Sequence, residues 1–303
     1  MTPAPAAALP STSPPGLKAW VLAARPRTLV VGAVPVLAGT ALAFAAGARA
    51  PWQAAAALVG ALLIQVGTNL ANDHYDHVRG ADGPDRLGPS RASASGWLSP
   101  AAVKRAAFVC FGAAIASGTF LVASAGWPVV VIGLASVVAG FAYTGGPYPL
   151  GYHGLGDVFV LTFFGLVAVG GTYFVQTGSV SSDALATGLA VGALGVAILA
   201  VNNLRDRVTD ARVGKRTLAV RLGPRFARLE YTACIAAAFV VPAALSLASG
   251  RAWLALPLVA VPLAVPGLRL VWTRDGSELN GALAATARLM SVWGVLFTLG
   301  VLR

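Results

Sequence analysis

Between Ala106 and Gly156 the chain carries no Asp, Glu, Lys or Arg. A helical membrane span needs only about 20 apolar residues, so this stretch alone can hold two of them. Comparable runs recur along the whole chain. With 57% apolar and 11% charged residues, the composition lies far from the roughly 25% charged content of soluble domains, and the chain reads as an integral membrane protein. The runs are too long for barrel strands, so an all-α polytopic fold is expected. Nine spans are predicted, at roughly 28–47, 53–72, 103–125, 128–145, 157–177, 184–203, 228–249, 252–271 and 282–301, with ends good to about 2–4 residues.

A net charge of +11 could suggest a nucleic-acid partner, but its distribution argues for topology instead. With the N-terminus in the cytoplasm, Lys18, Arg25, Arg27, Arg79, Arg86, Arg91, Lys104, Arg105, the eight cations from Arg205 to Arg228, Arg269, Arg274 and Arg288 fall inside. Only Arg49, Arg251 and Arg303 are left outside, a 19 to 3 division that follows the positive-inside rule. The inner loops then serve topology and attraction to anionic lipid, or bind an anion. Cys110 and Cys234 sit within predicted spans and suggest neither a disulfide framework nor a metal motif. Residues 1–17, rich in Pro and Ala and lacking the basic start of a signal peptide, read as a disordered arm ahead of a single domain over 18–303.

Six of the eleven acidic residues fall in two clusters: Asp73, Asp76, Asp82 and Asp85, and Asp206 and Asp210. On a helix, Asn69, Asp73 and Asp76 share one stripe, as do Asn203, Asp206 and Asp210. Each stripe sits where an apolar run meets the cytoplasmic side, and the even number of predicted spans between them returns both to that face. Arg86-Leu-Gly-Pro89 after the first cluster recurs as Arg221-Leu-Gly-Pro224 after the second, suggesting two matching half-sites. So many carboxylates in a small volume are costly unless cations lie between them. Oxygen-only ligands of this kind suit Mg²⁺, which takes a few carboxylates and completes its shell with water and substrate phosphate.

The same loops carry Arg79, Arg91, Arg205, Arg207, Arg212, Lys215 and Arg216. Carboxylates, a divalent metal and guanidinium groups together describe a diphosphate site. A diphosphate at the mouth of an apolar cavity implies a substrate with a polar head and a long hydrocarbon tail. No Walker loop is present, which disfavours a nucleotide hydrolase. His74 and His77 lack a third nitrogen or sulfur ligand for zinc, and no nucleophile elbow frames a serine.

These motifs resemble those of the UbiA superfamily of intramembrane prenyltransferases, and within it the branch that prenylates 1,4-dihydroxy-2-naphthoate in menaquinone synthesis. The resemblance is carried by Ala24-Arg-Pro-Arg-Thr28, Asn69 to Arg91, Tyr143-Thr-Gly-Gly-Pro-Tyr-Pro-Leu-Gly151 with Gly154-Leu-Gly-Asp157, Gly171-Thr-Tyr-Phe-Val-Gln-Thr-Gly178, and Asn202 to Gly223. The last three spans contribute nothing diagnostic. It implies nine transmembrane helices around a central cavity in the cell membrane, with the N-terminus and active-site loops cytoplasmic. It also implies catalytic Asp73, Asp76, Asp206 and Asp210, and Mg²⁺ held by these four with Asn69. Asn72 and Asn203 are implied as supporting ligands, and Arg79, Arg91, Lys215 and Tyr143 as further contacts to the diphosphate. Asp82 either contacts metal or orders its loop, and Tyr143 either packs or binds.

The implied substrates are an all-trans polyprenyl diphosphate and 1,4-dihydroxy-2-naphthoate, in membrane lipid. Neutralising the departing diphosphate lets the allylic C1–O bond ionise. Tyr143 or Tyr173 could face the cation, the electron-rich ring attacks it, and CO₂ is lost to leave demethylmenaquinol. Homogentisate, 4-hydroxybenzoate or a geranylgeranyl glycerol phosphate are alternative acceptors. A transporter is the alternative of another class. Arg288, within the last span, either snorkels or faces the cavity.

Overall fold

A computed structural model of the chain describes residues 16–83 and 85–303, and the predicted N-terminal arm falls outside them except for Gly16 and Leu17, which open a helix. The described residues are helical nearly throughout. In order they form α1 (Gly16–Ala24), α2 (Val30–Ala45), α3 (Pro51–Val78), α4 (Pro100–Ala125), α5 (Pro128–Ala142), α6 (Gly156–Val160), a π-helical segment (Leu161–Val167), α7 (Ala168–Thr177), α8 (Ser182–Arg212), α9 (Leu218–Ser249), α10 (Val261–Thr273) and α11 (Leu279–Val301), with short 3₁₀ turns at Pro26–Thr28, Leu150–Tyr152, Ala252–Ala260 and Gly276–Glu278.

Each expected span coincides with helix. Seven helical segments are long and apolar enough to cross a membrane, α1 and α2 form a pair bent by 52° that would make an eighth, and α5 is a shorter apolar helix. The chain is a polytopic membrane protein.

The boundaries follow local chemistry. Proline opens α3, α4 and α5, where its missing N–H costs nothing because the first-turn donors have no intrahelical partner. Ser99 and Ser181 cap α4 and α8 by accepting from the N–H groups of Ala102 and Ala184. Gly178 (φ +75°) and Gly250 (φ +71°) end α7 and α9 in the left-handed region, which stops a helix without steric penalty.

The core forms around α8, the most buried of the spans. Its Gly188 and Gly192 lie against Gly165 of the π-helical segment so closely that a Cβ at Gly165 would stand 2.4 Å from the Gly188 carbonyl oxygen. The extra residue per turn of a π segment shifts the side chains that follow it, and Phe163, Phe164 and Val167 all reach the central cavity. On the opposite side, α9 and α11 are joined by the Tyr231–Thr286 hydroxyl contact at 3.0 Å and by Trp293 Nε1 donating to the Ala238 carbonyl at 2.8 Å. Arg288 is exposed on the outer face of α11 and takes no part in the cavity wall.

The repeated tetrapeptide is not a structural repeat. Arg86–Pro89 lies in an irregular loop, whereas Arg221–Pro224 lies within α9, at a kink where Gly223 has φ +84°. Both acidic segments nevertheless reach the same end of the bundle, one at the C-terminus of α3 and the other at that of α8.

Gly165→Ala is expected to push the π-helical segment off α8. The gain in helix propensity is about 1 kcal/mol, and overpacking typically costs about 1–3 kcal/mol. A lower melting temperature of the variant in detergent checks this.

Candidate active site

A cavity of about 950 Å³ runs into the bundle from the end where α3 and α8 finish. Its deep walls are apolar and include Ile64, Leu121, Val129, Val137, Phe159 and Phe163. Its mouth is polar: Asn72, Asp76, Asn202, Asn203 and Asp206 face Arg25, Arg86, Arg91, Arg205 and Lys215.

Helix α3 turns Asn69, Asn72 and Asp76 to this mouth, a spacing of three and four residues that keeps them on one stripe. Asp76 is 4% exposed. Its Oδ1 accepts from the Tyr152 hydroxyl at 2.9 Å and its Oδ2 from Arg91 at 3.2 Å. The Asn72 Oδ1 accepts from the Thr144 hydroxyl at 2.6 Å. From α8 comes Asp206, gripped by Nε and Nη2 of Arg205 at 2.8 and 2.6 Å. One turn on, Asp210 meets Lys215 at 3.4 Å, and its other oxygen has no hydrogen-bond partner among the described residues.

Several of the expected site residues are placed away from the mouth or tied to the backbone. Asp73 does not line the cavity: it is 1% exposed, and its two oxygens accept from the backbone N–H groups of Ala92 and Ser93, both at 2.9 Å. A one-residue step around the helix carries it from the mouth to the loop behind, where it caps the turn that presents Arg91. Asn69 reaches the wall, but its amide nitrogen donates to the Ala24 carbonyl and the Thr28 hydroxyl at 2.9 and 3.0 Å, which ties α3 to the turn after α1. Arg79 is absent from the wall and donates to the carbonyls of Thr144 and Gly146, closing the end of α3 onto the loop after α5. Tyr143 is on the wall, whereas Tyr173 is packed in the core. Among the second cluster's cations, Arg207 pairs with Asp275 and Arg212 with Asp85, Arg216 is exposed, and Arg205 and Lys215 turn inward.

Charge at the mouth is held by mutual pairing. Burial pulls the Lys215 ammonium down, but Asp210, Asp76 and Asp206 outweigh it, so its pKa lies above the ordinary value and the group stays protonated. Asp82 is paired with Arg86 and, at 3.5 Å, with Arg91. Burial pushes its carboxyl up to about 7 despite the pull of Arg86. Asp82 lies away from the cavity wall, within the loop that carries these two arginines. Arg91 is 9% exposed, and its Nη1 has no hydrogen-bond partner among the described residues.

The donor set fits a hard divalent cation. Carboxylates of Asp76 and Asp206 and amide oxygens of Asn72, Asn202 and Asn203 share the mouth, and no His or Cys lies among them. No group of three or more His, Cys, Asp or Glu among the described residues could hold an ion alone. That suits a metal which takes its remaining ligands from phosphate. Arg25, Arg86, Asn202 and Asn280 were not singled out in the sequence as site residues. Arg25 had a signal in its Arg-Pro-Arg setting, and it is the one non-glycine residue with positive φ (54°) among those described. Asn280 had none.

Residues 32–295 match the UbiA prenyltransferase family. The chain is 41% identical over 278 residues to the 1,4-dihydroxy-2-naphthoate octaprenyltransferase of Mycobacterium tuberculosis (strain ATCC 25618 / H37Rv), covering 91% of this chain and 94% of that protein. It is 38% identical over 295 residues to the protein of the same name from Escherichia coli (strain K12), covering 94% and 95%. Among solved structures, a UbiA homolog from Archaeoglobus fulgidus bound to DMAPP and Mg²⁺ superposes with a TM-score of 0.64 at 14% identity, covering 93% of this chain and 98% of that one.

Asp73→Asn is expected to loosen the loop rather than empty the mouth. An amide accepts only one of the two backbone N–H bonds, and hydrogen bonds to a charged group are worth about 1.5–3 kcal/mol each. Trypsin should then cut the folded variant at Arg86 and Arg91 faster than the parent, read by mass spectrometry of the early fragments.

Proposed function

This chain belongs to the UbiA prenyltransferase family, and we propose that it transfers the polyprenyl group of an all-trans polyprenyl diphosphate to 1,4-dihydroxy-2-naphthoate with loss of CO₂, supplying demethylmenaquinol for menaquinone synthesis. It is a divalent-metal-dependent prenyltransferase acting on a prenyl diphosphate and an aromatic acceptor. The acceptor is the one that names its mycobacterial and Escherichia coli relatives. One observation carries the reading: a cavity with an apolar interior opens at a mouth where the carboxylates of Asp76 and Asp206 meet Arg91, Arg205 and Lys215. A diphosphate with a hydrocarbon tail matches both halves.

We take the metal to be Mg²⁺, held by Asp76 and Asp206 with Asn72 and Asn203, and with Asp210 behind them. Bound there, the ion supplies neutralisation of diphosphate charge. The protein does the rest. Arg91 and Lys215 are placed to donate to the phosphate oxygens, and they favour the leaving group as the allylic C1–O bond breaks and its electron pair departs with diphosphate. Tyr143, Phe159 and Phe163 line the same cavity, and in this reading Tyr143 stabilises the allylic cation through its ring. The apolar wall keeps water from trapping it. The acceptor ring then bonds to C1, and the electron pair released as CO₂ leaves restores aromaticity. The balance therefore needs no oxidant. Residues 18–303 act as one domain, the mouth faces the cytoplasm, and tail and product share the lipid of the cell membrane.

A transporter reading finds little support, because the wall carboxylates lie at one end of the cavity whereas alternating access places binding groups near the bilayer midplane.

Purified protein given 1,4-dihydroxy-2-naphthoate and a polyprenyl diphosphate is expected to form prenylated product and CO₂ in equal amounts with Mg²⁺, and neither with EDTA. Asp76→Ala and Asp206→Ala should each lower turnover at least about a hundredfold, the scale of losing one preorganised electrostatic group. Product without CO₂, or near-parental turnover in both variants, overturns the assignment.

A further inference from the structure

The last transmembrane helix sends one polar side chain into the mouth. Asn280 is the second residue of α11 and lies on the cavity wall. Its Oδ1 accepts from Arg205 Nη1 at 2.8 Å, and its Nδ2 donates to the Leu87 carbonyl at 2.9 Å. Arg205, 3% exposed, uses its other two nitrogens on Asp206. One amide therefore joins three elements: α11, the loop after α3, and the Arg205–Asp206 pair of α8.

The orientation of that amide is set by its partners. A guanidinium can only donate and a carbonyl can only accept, so the bridging group must accept at one atom and donate at another, as the Asn280 amide does. Gly88 completes the arrangement at the other end of the guanidinium fork. A Cβ there would lie 2.7 Å from Arg205 Nη2, so the glycine of the first Arg-Leu-Gly-Pro leaves the space the guanidinium occupies. Arg205 is thus seated between Asn280 and the bare backbone of Gly88, and its fork fixes the direction of the Asp206 carboxylate.

We propose that Asn280 is a positioning residue that sets Asp206 for metal and diphosphate through Arg205, with Gly88 leaving room for the guanidinium. The proposal rests on the mouth being the metal and diphosphate site. It gives α11 a share in the chemistry without contact to the reacting atoms. Groups that orient metal ligands from behind typically cost about 10–100-fold in metal affinity or activity when removed.

The test compares Asn280→Ala and Gly88→Ala with the parent in detergent. Three quantities are measured: the Mg²⁺ concentration for half-maximal turnover, the KM values for prenyl diphosphate and acceptor, and, without turnover, the rise in melting temperature on adding Mg²⁺ with inorganic diphosphate. Both variants should need about tenfold more Mg²⁺ or more, show a raised KM for prenyl diphosphate with an unchanged KM for the acceptor, and lose most of the ligand-induced rise in melting temperature. If one variant fails to fold, the other carries the test, since the two act on different nitrogens of the Arg205 guanidinium. An unchanged Mg²⁺ requirement in the folded variants, or equal rises in both KM values, overturns the proposal. Asp206→Ala separates the two ideas. If it alone abolishes the Mg²⁺ response, the site stands and the positioning role falls; if it also leaves that response intact, the site assignment falls with it.

Discussion

Carboxylates beside a low-dielectric interior have to be compensated, and most of the mouth is arranged around that requirement. Asp76 shares Arg91 and Tyr152, Asp206 is clamped by Arg205, and Asp210 faces Lys215. A buried carboxylate left alone would protonate or unfold its surroundings. Asp76 and Asp210 have their cations on the loops that follow α3 and α8, so pairing also fixes where those loops sit, whereas Asp206 is held by its neighbour on α8. The same cations are the groups a diphosphate would attract. Binding then exchanges one set of charge partners for another without leaving any charge bare.

The loop after α3 is where folding and chemistry depend on the same atoms. Asp73 holds the backbone at Ala92 and Ser93, Asp82 holds Arg86 and Arg91, and Arg79 closes the helix end onto Thr144 and Gly146. Asp73 and Asp82 both hold the loop that carries Arg91, while Arg79 ties the end of α3 to the loop after α5. Catalysis by preorganised charge requires this, because a donor that reorients during the reaction gives back what it stabilises.

Much of the scaffold was legible in the sequence because hydrophobic run length is a one-dimensional signal. Every expected span is helical, and Asn72, Asp76, Asn203, Asp206, Arg91, Lys215 and Tyr143 come together at one mouth. What failed was finer than helical periodicity. Asn69, Asp73 and Asp76 do fall on one stripe, but adjacent positions differ by about 100° of rotation, and a stripe does not say which edge faces a cavity and which a loop. Asn72 therefore took the place expected of Asp73. Arg79 donates to loop carbonyls, a placement that its position near an acidic motif does not reveal in sequence. Asn280 left no trace, since its partners lie 75 and 193 residues away.

The brevity of α5 has a consequence for the membrane itself. At about 1.5 Å per residue, its 15 residues rise roughly 22 Å, against a hydrocarbon core of about 30 Å. The bilayer beside it has to thin or the neighbouring helices have to tilt, at a cost of fractions of a kcal/mol per Å. α5 also supplies Val129, Gly133, Val137 and Gly140 to the cavity wall. A change in bilayer thickness would therefore act on a helix that also walls the cavity, and acyl-chain length in the host membrane is expected to bear on the shape of that chamber.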